Sequence, residues 1–255
     1  MSLLLTRDGP VTIVTINRAA KRNAVDPATA AALREAFKAF AADDHARVAI
    51  LTGSERHFCA GFDLEAVGTS RYDPDGPGPM GPTRMLLDKP VIAAVEGHAV
   101  AGGLELALWC DLRVAAASAV FGVYCRRWGV PLIDGGTVRL PRIVGQGRAL
   151  DMILTGRPVA ADEAQRIGLA DRVVPDGEAL EAAIALAKQI AAFPQLCMKS
   201  DRMSAYRQWD LSLADALAHE AAAGRAPLRE GAAEGAARFT KGAGRGGSFE
   251  DFKSD

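Results

Sequence analysis

The sequence predicts an α/β fold with largely parallel strands, and three observations carry that expectation. Short apolar runs of strand character alternate with helix-favouring segments through the first half of the chain. Each run is closed by Gly, Pro or polar residues, which end a strand. From about residue 136 the pattern turns mainly helical, so a helical region should follow the sheet.

Taken in order, VTIVTI (11–16) reads as a short strand, and Asp26-Pro27 opens a helix with an N-cap acid and a proline in the first turn. Leu33, Phe37 and Phe40 then recur at i, i+4 and i+7, which lines one helix face for burial. RVAILTG (47–53), PVIAAVEG (90–97) and DLRVAAA (111–117) read as further strands. Beyond them come helical RALDMILTG, ADEAQRIG with a glycine stop, a brief strand DRVVP, and helical EALEAAIALAKQIAAF. VGTSRYDPDGPGPMGPT (67–83) is too rich in Gly and Pro for a regular element; it reads as a surface loop, either a lid or a linker. The Gly-rich tail from Thr240 should fray unless it docks on a partner. No internal repeat is visible in the sequence.

Composition bounds the function. At 255 residues, 49% of them hydrophobic and 24% charged, the chain can bury one large core, or a core and a small appendage. With 30 Lys and Arg against 31 Asp and Glu there is no overall field for nucleic acid or an anionic membrane, although a local basic pocket for one phosphate ligand is allowed. The N-terminus has no basic region with a cleavage site, and no apolar run reaches the ~18 residues of a membrane span, so a cytoplasmic location is expected. Cys59, Cys110, Cys125 and Cys197 are scattered and read as reduced thiols. His45, His57, His98 and His219 are equally dispersed, and no metal site is expected.

Two segments carry chemistry. In AVAGGLELALWCDL (99–112), Gly102 and Gly103 precede an apolar helix that holds one carboxylate, Glu105. The first N–H groups of a helix lack intrahelical partners and carry the positive end of its dipole, so they can hold a developing oxyanion. Gly102 N–H is thus a candidate oxyanion donor and Glu105 a candidate base. The plainer alternative is close helix packing through glycine, with an acid that complements the dipole. In HFCAGFDLEA (57–66) the turn Ala60-Gly61-Phe62 precedes a short helix from Asp63 and offers a second set of free N–H groups. Two such N-termini could converge on one carbonyl oxygen.

RNAVDPATAAALREAF, LTGSERHFCAGFDL, KPVIAAVEGHAVAGGLELALWCDLRVA and LTGRPVAADEAQRIGLADRVV, in this order, resemble the crotonase family, the enoyl-CoA hydratase and isomerase superfamily. The resemblance runs over roughly residues 3–195. It implies a spiral of β-β-α repeats (1–195), a C-terminal helical trimerisation region (196–255), and assembly as a homotrimer or a dimer of trimers. It makes Phe62 and Gly102 the backbone donors to a thioester oxygen. Arg22, Ala24, Ala60, Asp63 and Leu64, with Gly61 and Gly103 beside them, fall where the family wraps coenzyme A. Glu105 matches the first catalytic glutamate of the hydratases.

The second glutamate is replaced: the same alignment puts Cys125 at its position, with Trp128 and Pro131 lining the acyl end. A thiol is a weak acid and a poor hydrogen-bond partner beside a carboxyl group. Arg126 and Arg127 could instead favour a nucleophilic thiolate at Cys125. Asp134 is the substitute acid, although some relatives carry theirs one residue earlier, where Ile133 stands; the alternative is a cap for the following helix. Lys241 or Arg245 could reach a coenzyme phosphate in a neighbouring subunit, solvated tail charges being the alternative. What the resemblance implies is an enoyl-CoA hydratase acting on a coenzyme A thioester with no other cofactor. An isomerase, a thioester hydrolase and a non-catalytic acyl-CoA binder are the alternatives.

Overall fold

A computed structural model describes residues 1–68 and 73–248. Residues 69–72 of the expected loop and 249–255 of the expected tail lie outside the described residues. The chain divides into two compact units, Met1–Ala187 and Lys188–Asp255.

The first unit is built on two sheets. The larger uses β1 (Leu3–Asp8), β2 (Val11–Ile16), β3 (Val48–Gly53) and β4 (Val91–Val95). The smaller begins with β5 (His98–Val100); β6 (Leu112–Ala116) returns to the larger sheet, and β7 (Val120–Gly122) and β8 (Val159–Ala160) to the smaller, before β9 (Arg172–Val174) closes the larger. The order of the larger sheet is β1-β2-β3-β4-β6-β9, parallel except for the β1–β2 hairpin. β3 and β4 are buried over almost their whole length, which is why VAILTG and VIAAV read as unbroken apolar runs. β5 pairs parallel with β7, and β7 antiparallel with β8.

Five helices complete this unit and a sixth leads out of it: α1 (Pro27–Ala42), α2 (Gly102–Trp109), α3 (Gly136–Val144), α4 (Gln146–Thr155), α5 (Ala161–Arg166) and α6 (Ala179–Ala192). The run PVIAAVEG therefore ends β4 and turns, so that β4 feeds the larger sheet, β5 the smaller, and α2 follows. β6, β7 and α3 repeat that path, with a short 3-10 helix, Tyr124–Trp128, before α3. In the preceding turn of the spiral the second-sheet strand is reduced to one bridge, Cys59 to Ala99.

α1 starts where expected: the Asp26 carboxylate accepts from Thr29 N at 2.8 Å, and Pro27 fills the first helical position. Leu33, Phe37 and Phe40 are all buried, and the Phe37 ring meets the Trp109 ring edge-on at 4.7 Å. α2 is buried at every residue and, Glu105 apart, apolar all round as a central helix must be.

The second unit holds α7 (Gln195–Arg207), α8 (Leu213–Ala223) and a helical stretch over 225–240 interrupted by a π-helical turn, Leu228–Ala232. Ser212 caps α8 by accepting from Asp215 N at 3.2 Å. The described part of the tail carries a 3-10 turn, Arg245–Gly247. No helix among the described residues is long and apolar enough to cross a membrane.

The seam between α2 and the segment after β3 leaves no room for a side chain. A methyl group on Gly103 would lie 2.1 Å from the Cys59 carbonyl oxygen, a backbone atom that cannot swing away. Gly103→Ala should therefore destabilise the fold by about 1–3 kcal/mol through overpacking, read from urea unfolding.

Candidate active site

At the end of β5 the chain turns sharply into α2 through Ala101, which holds φ 53° and ψ −126°, a strained backbone for a residue with a side chain. Ala101 is held there by its N–H bond to Gly122 O at 2.9 Å. Gly102 then occupies the first helical position, and its N–H has no acceptor among the described residues.

The partner segment is fixed by main-chain bonds. Cys59 N donates to His98 O at 2.9 Å, and Val100 N to Cys59 O at 3.1 Å. Val25 N donates to Gly61 O, and Asp63 N to Val25 O, both at 2.8 Å. Gly61, at φ +104°, donates its own N–H to the Cys59 sulfur at 3.3 Å. Phe62 N–H is left between bonded neighbours with no acceptor among the described residues. A methyl group on Gly61 would lie 2.9 Å from Ala101 Cβ and 3.0 Å from Gly102 N, so the two segments meet backbone to backbone. Phe62 and Gly102 line one cavity of about 930 Å³.

Glu105, one turn into α2, is only 2% exposed and lines the same cavity. Its Oε1 accepts from Asp134 N at 2.9 Å and Gly136 N at 2.8 Å, and Oε2 carries no hydrogen bond among the described residues. Burial, and then the Asp134 carboxylate, push its pKa up to about 7, against the pull of the two N–H groups and the Arg139 charge. Asp134 also reaches the cavity. Its Oδ1 accepts from Met80 N at 3.0 Å and from the Thr83 hydroxyl, while burial holds its pKa above the usual aspartate range. It caps nothing: the residue before α3 is Gly135, in the left-handed region, with no side-chain cap. Arg139 donates to Asp134 O at 3.0 Å and Thr83 O at 2.6 Å, and so fastens residues 80–83 to the turn 134–136.

Cys125 lines the cavity close enough to Glu105 to feel its charge, but it is not a thiolate site. Burial and the Glu105 carboxylate both raise its pKa, and they outweigh the Arg126 charge and the backbone N–H groups of Cys125 and Arg126 that oppose them. Arg126 Nε is engaged with Ile153 O at 3.0 Å, and the Arg127 guanidinium stacks on the Tyr124 ring at 4.3 Å. The expectation that the two arginines would favour a nucleophile fails on these contacts.

Of the other expected ligand contacts, Arg22, Ala60, Leu64, Trp128 and Pro131 line the cavity, Trp128 being 68% exposed. Ala24, Gly61, Asp63 and Gly103 are not on its wall. The Ala24 carbonyl accepts from Arg18, and Asp63 pairs with Arg18 at 3.0 Å and caps the short helix Leu64–Ala66; the two glycines are consumed in backbone packing. Lys241 and Arg245 belong to the second unit. Thr83, Met80 and Arg139 escaped the sequence reading. Arg139 left one signal, a cation in the first turn of a helix, where the dipole disfavours it unless acceptors are supplied. Among the described residues no group of three or more His, Cys, Asp or Glu side chains could hold a metal.

A spiral of two sheets, and a buried carboxyl beside two unpartnered backbone N–H groups, define an enzyme of the crotonase fold. Residues 6–241 match the enoyl-CoA hydratase/isomerase family model, and the chain belongs to that family of acyl-CoA-processing enzymes. It is 44% identical over 194 residues to a carnitinyl-CoA dehydratase of Salmonella typhi, a match that covers 74% of each chain. An enoyl-CoA hydratase structure from Mycobacterium marinum superposes with a TM-score of 0.89 at 34% identity, over 94% of this chain and 96% of that one. An enoyl-CoA hydratase from Mycobacterium tuberculosis gives 0.89 at 35% identity, again over 94% and 96%.

The raised Glu105 pKa has a stability consequence with a definite sign. Between the ordinary value of 4.5 and about 7 the folded state holds a proton that the unfolded state has lost, so stability falls as pH rises through that window. Above it the full penalty applies, on the order of 3 kcal/mol. Glu105→Gln, which keeps an oxygen for the two N–H groups, should gain stability over the parent at pH 8 and lose that gain near pH 4, in paired urea titrations.

Proposed function

We propose that this chain is a hydro-lyase that adds water reversibly across the α,β double bond of a 2-enoyl-CoA, with Phe62 and Gly102 N–H as the oxyanion hole and Glu105 as the acid–base group. The reading is carried by Glu105: a buried carboxyl poised near neutrality, one oxygen pinned and the other open, on the same cavity as the two unpartnered N–H groups. The thioester oxygen accepts from both N–H groups and takes up the negative charge when water adds to the β-carbon. Ionised Glu105 removes the water proton as the C–O bond forms, and the enolate collapses by taking that proton back from Glu105 at the α-carbon. Asp134 holds its own charge near Glu105 and keeps that carboxyl basic enough for the first step. No cofactor enters beyond the thioester itself. The dehydratase and hydratase names of the relatives support the same reaction in its two directions.

A double-bond shift is the second reading, favoured by Cys125 where hydratases hold their second glutamate: one carboxylate can carry a proton between the α- and γ-carbons. We further propose assembly as a trimer or a dimer of trimers, supported by the apolar side chains Leu213, Leu217 and Leu228, which are left exposed in the second unit.

The test follows loss of conjugated thioester absorbance with crotonyl-CoA, and its gain with 3-hydroxybutyryl-CoA and carnitinyl-CoA. Glu105→Gln should lower kcat by about 10²–10⁴ while crotonyl-CoA binding survives. Asp134→Asn should shift the pH at which activity rises to a lower value, since the group that raises Glu105 has lost its charge. Wild-type protein that binds these thioesters and turns over none of them, but shifts the double bond of a 3-enoyl-CoA, would replace hydration with isomerisation.

A further inference from the structure

Two histidines stand apart from the carboxyl pair. His98 opens β5 and lines the cavity. His57 lies just before the bridge at Cys59, and the two rings approach to 5.1 Å between centroids. The corner before β5 is pressed onto this segment: Gly97 has φ +50°, and a methyl group there would lie 2.2 Å from Arg56 O and 2.7 Å from His57 Nδ1.

Their contacts fix both tautomers. His98 N donates its backbone proton to His57 Nδ1 at 3.4 Å, so that nitrogen carries a lone pair and not a hydrogen. The Nδ1 atoms of the two rings are 3.3 Å apart, and the one able to donate is His98 Nδ1–H. His98 Nε2 is then a bare acceptor with no partner among the described residues. Among the described residues the one fully buried side-chain polar atom without a partner is Thr29 Oγ1, so His98 Nε2 is not shut off from solvent, and His98 lines the cavity. Burial lowers both pKa values, helped by the Arg22 charge on both and by His98 and Arg56 on His57. Tyr124 meets His98 edge-on at 6.5 Å, and Arg127 is stacked on Tyr124.

We infer that His57 holds His98 as a hydrogen-bond acceptor for an N–H or O–H donor on the carrier arm of the thioester. This rests on the acyl-CoA reading above. Arg22, whose charge reaches the His98 ring, lines the same cavity, and the amides and hydroxyl of a pantetheine arm are donors that such an acceptor would take. His98 is thus a specificity residue for the carrier, and His57 a positioning residue that acts through it.

The test is calorimetric binding of CoA, crotonyl-CoA and 3-hydroxybutyryl-CoA to Glu105→Gln protein, which does not interconvert the two thioesters on the time of a titration, without and with each of four further substitutions. His98→Phe should weaken all three ligands roughly threefold to tenfold, with the loss in turnover read in KM, while His98→Gln, which restores an acceptor where Nε2 stood, regains the affinity. His57→Leu should reproduce the loss and His57→Asn, which keeps an acceptor, should not; this second pair decides the matter if His98→Phe fails to fold. Equal losses in Phe and Gln, or none in either, overturn the assignment. A loss confined to 3-hydroxybutyryl-CoA moves the donor to the acyl group and overturns the carrier arm. Wild-type protein that binds no CoA thioester removes the acyl-CoA reading and this inference together, whereas normal binding by His98→Phe removes this one alone.

Discussion

Gly103 lies against the Cys59 carbonyl, and Gly61 against the Gly102 nitrogen, at distances no side chain could occupy. The rest of the site depends on that contact, because it brings the start of α2 onto the Cys59–Phe62 turn with nothing between the two backbones. Two N–H groups, each deprived of an acceptor for its own local reason, then open onto one cavity. Phe62 lacks one because its neighbours' bonds run to Val25; Gly102 lacks one because it begins a helix. Backbone donors fixed in this way need no reorganisation when charge develops on an oxygen between them.

That seam also determines where Glu105 can be. Three residues after Gly102 on a helix with no exposed face, the carboxyl has no route to water except through the cavity. Its burial would be prohibitive without the turn 134–136, whose two N–H groups take one oxygen. Arg139 adds a cation that lowers the pKa of both carboxyls while it holds the turn to Thr83. The balance leaves Glu105 near neutrality, where a group can both take and return a proton. The same balance costs stability, as sites built for charge transfer commonly do.

The α/β class and the first helix were legible because their signals are long: buried parallel strands of five or six residues, and a sixteen-residue helix with a cap, a proline and a spaced apolar face. The second sheet was not legible, since strands of two or three residues are too short to show a period. The spiral was therefore available only through resemblance. In the site, Gly102, Phe62 and Glu105 were readable because their chemistry is local to one segment each. Asp63 and Ala24, expected beside the ligand, are tied to Arg18, a pairing between segments that sequence spacing does not report. Thr83, Met80 and the two histidines were invisible for the same reason: each acts through a partner at least forty residues away.

Cys125 and Asp134 are the two other side chains whose charge state bears on Glu105. Both line the cavity, but they reach Glu105 by different routes. A carboxyl on the 3-10 helix at 125 would act on Glu105 only through space. Asp134 does so through space and through its own backbone N–H, which already donates to Glu105. Any movement of that turn therefore changes the hydrogen bond that stabilises the Glu105 anion and the charge that destabilises it at the same moment. The two effects are opposite in sign, so the Glu105 carboxyl is buffered against small displacements in a way that a carboxyl on a separate element could not provide. By holding Asp134 Oδ1, Thr83 and Met80 fix the one distance on which that compensation depends.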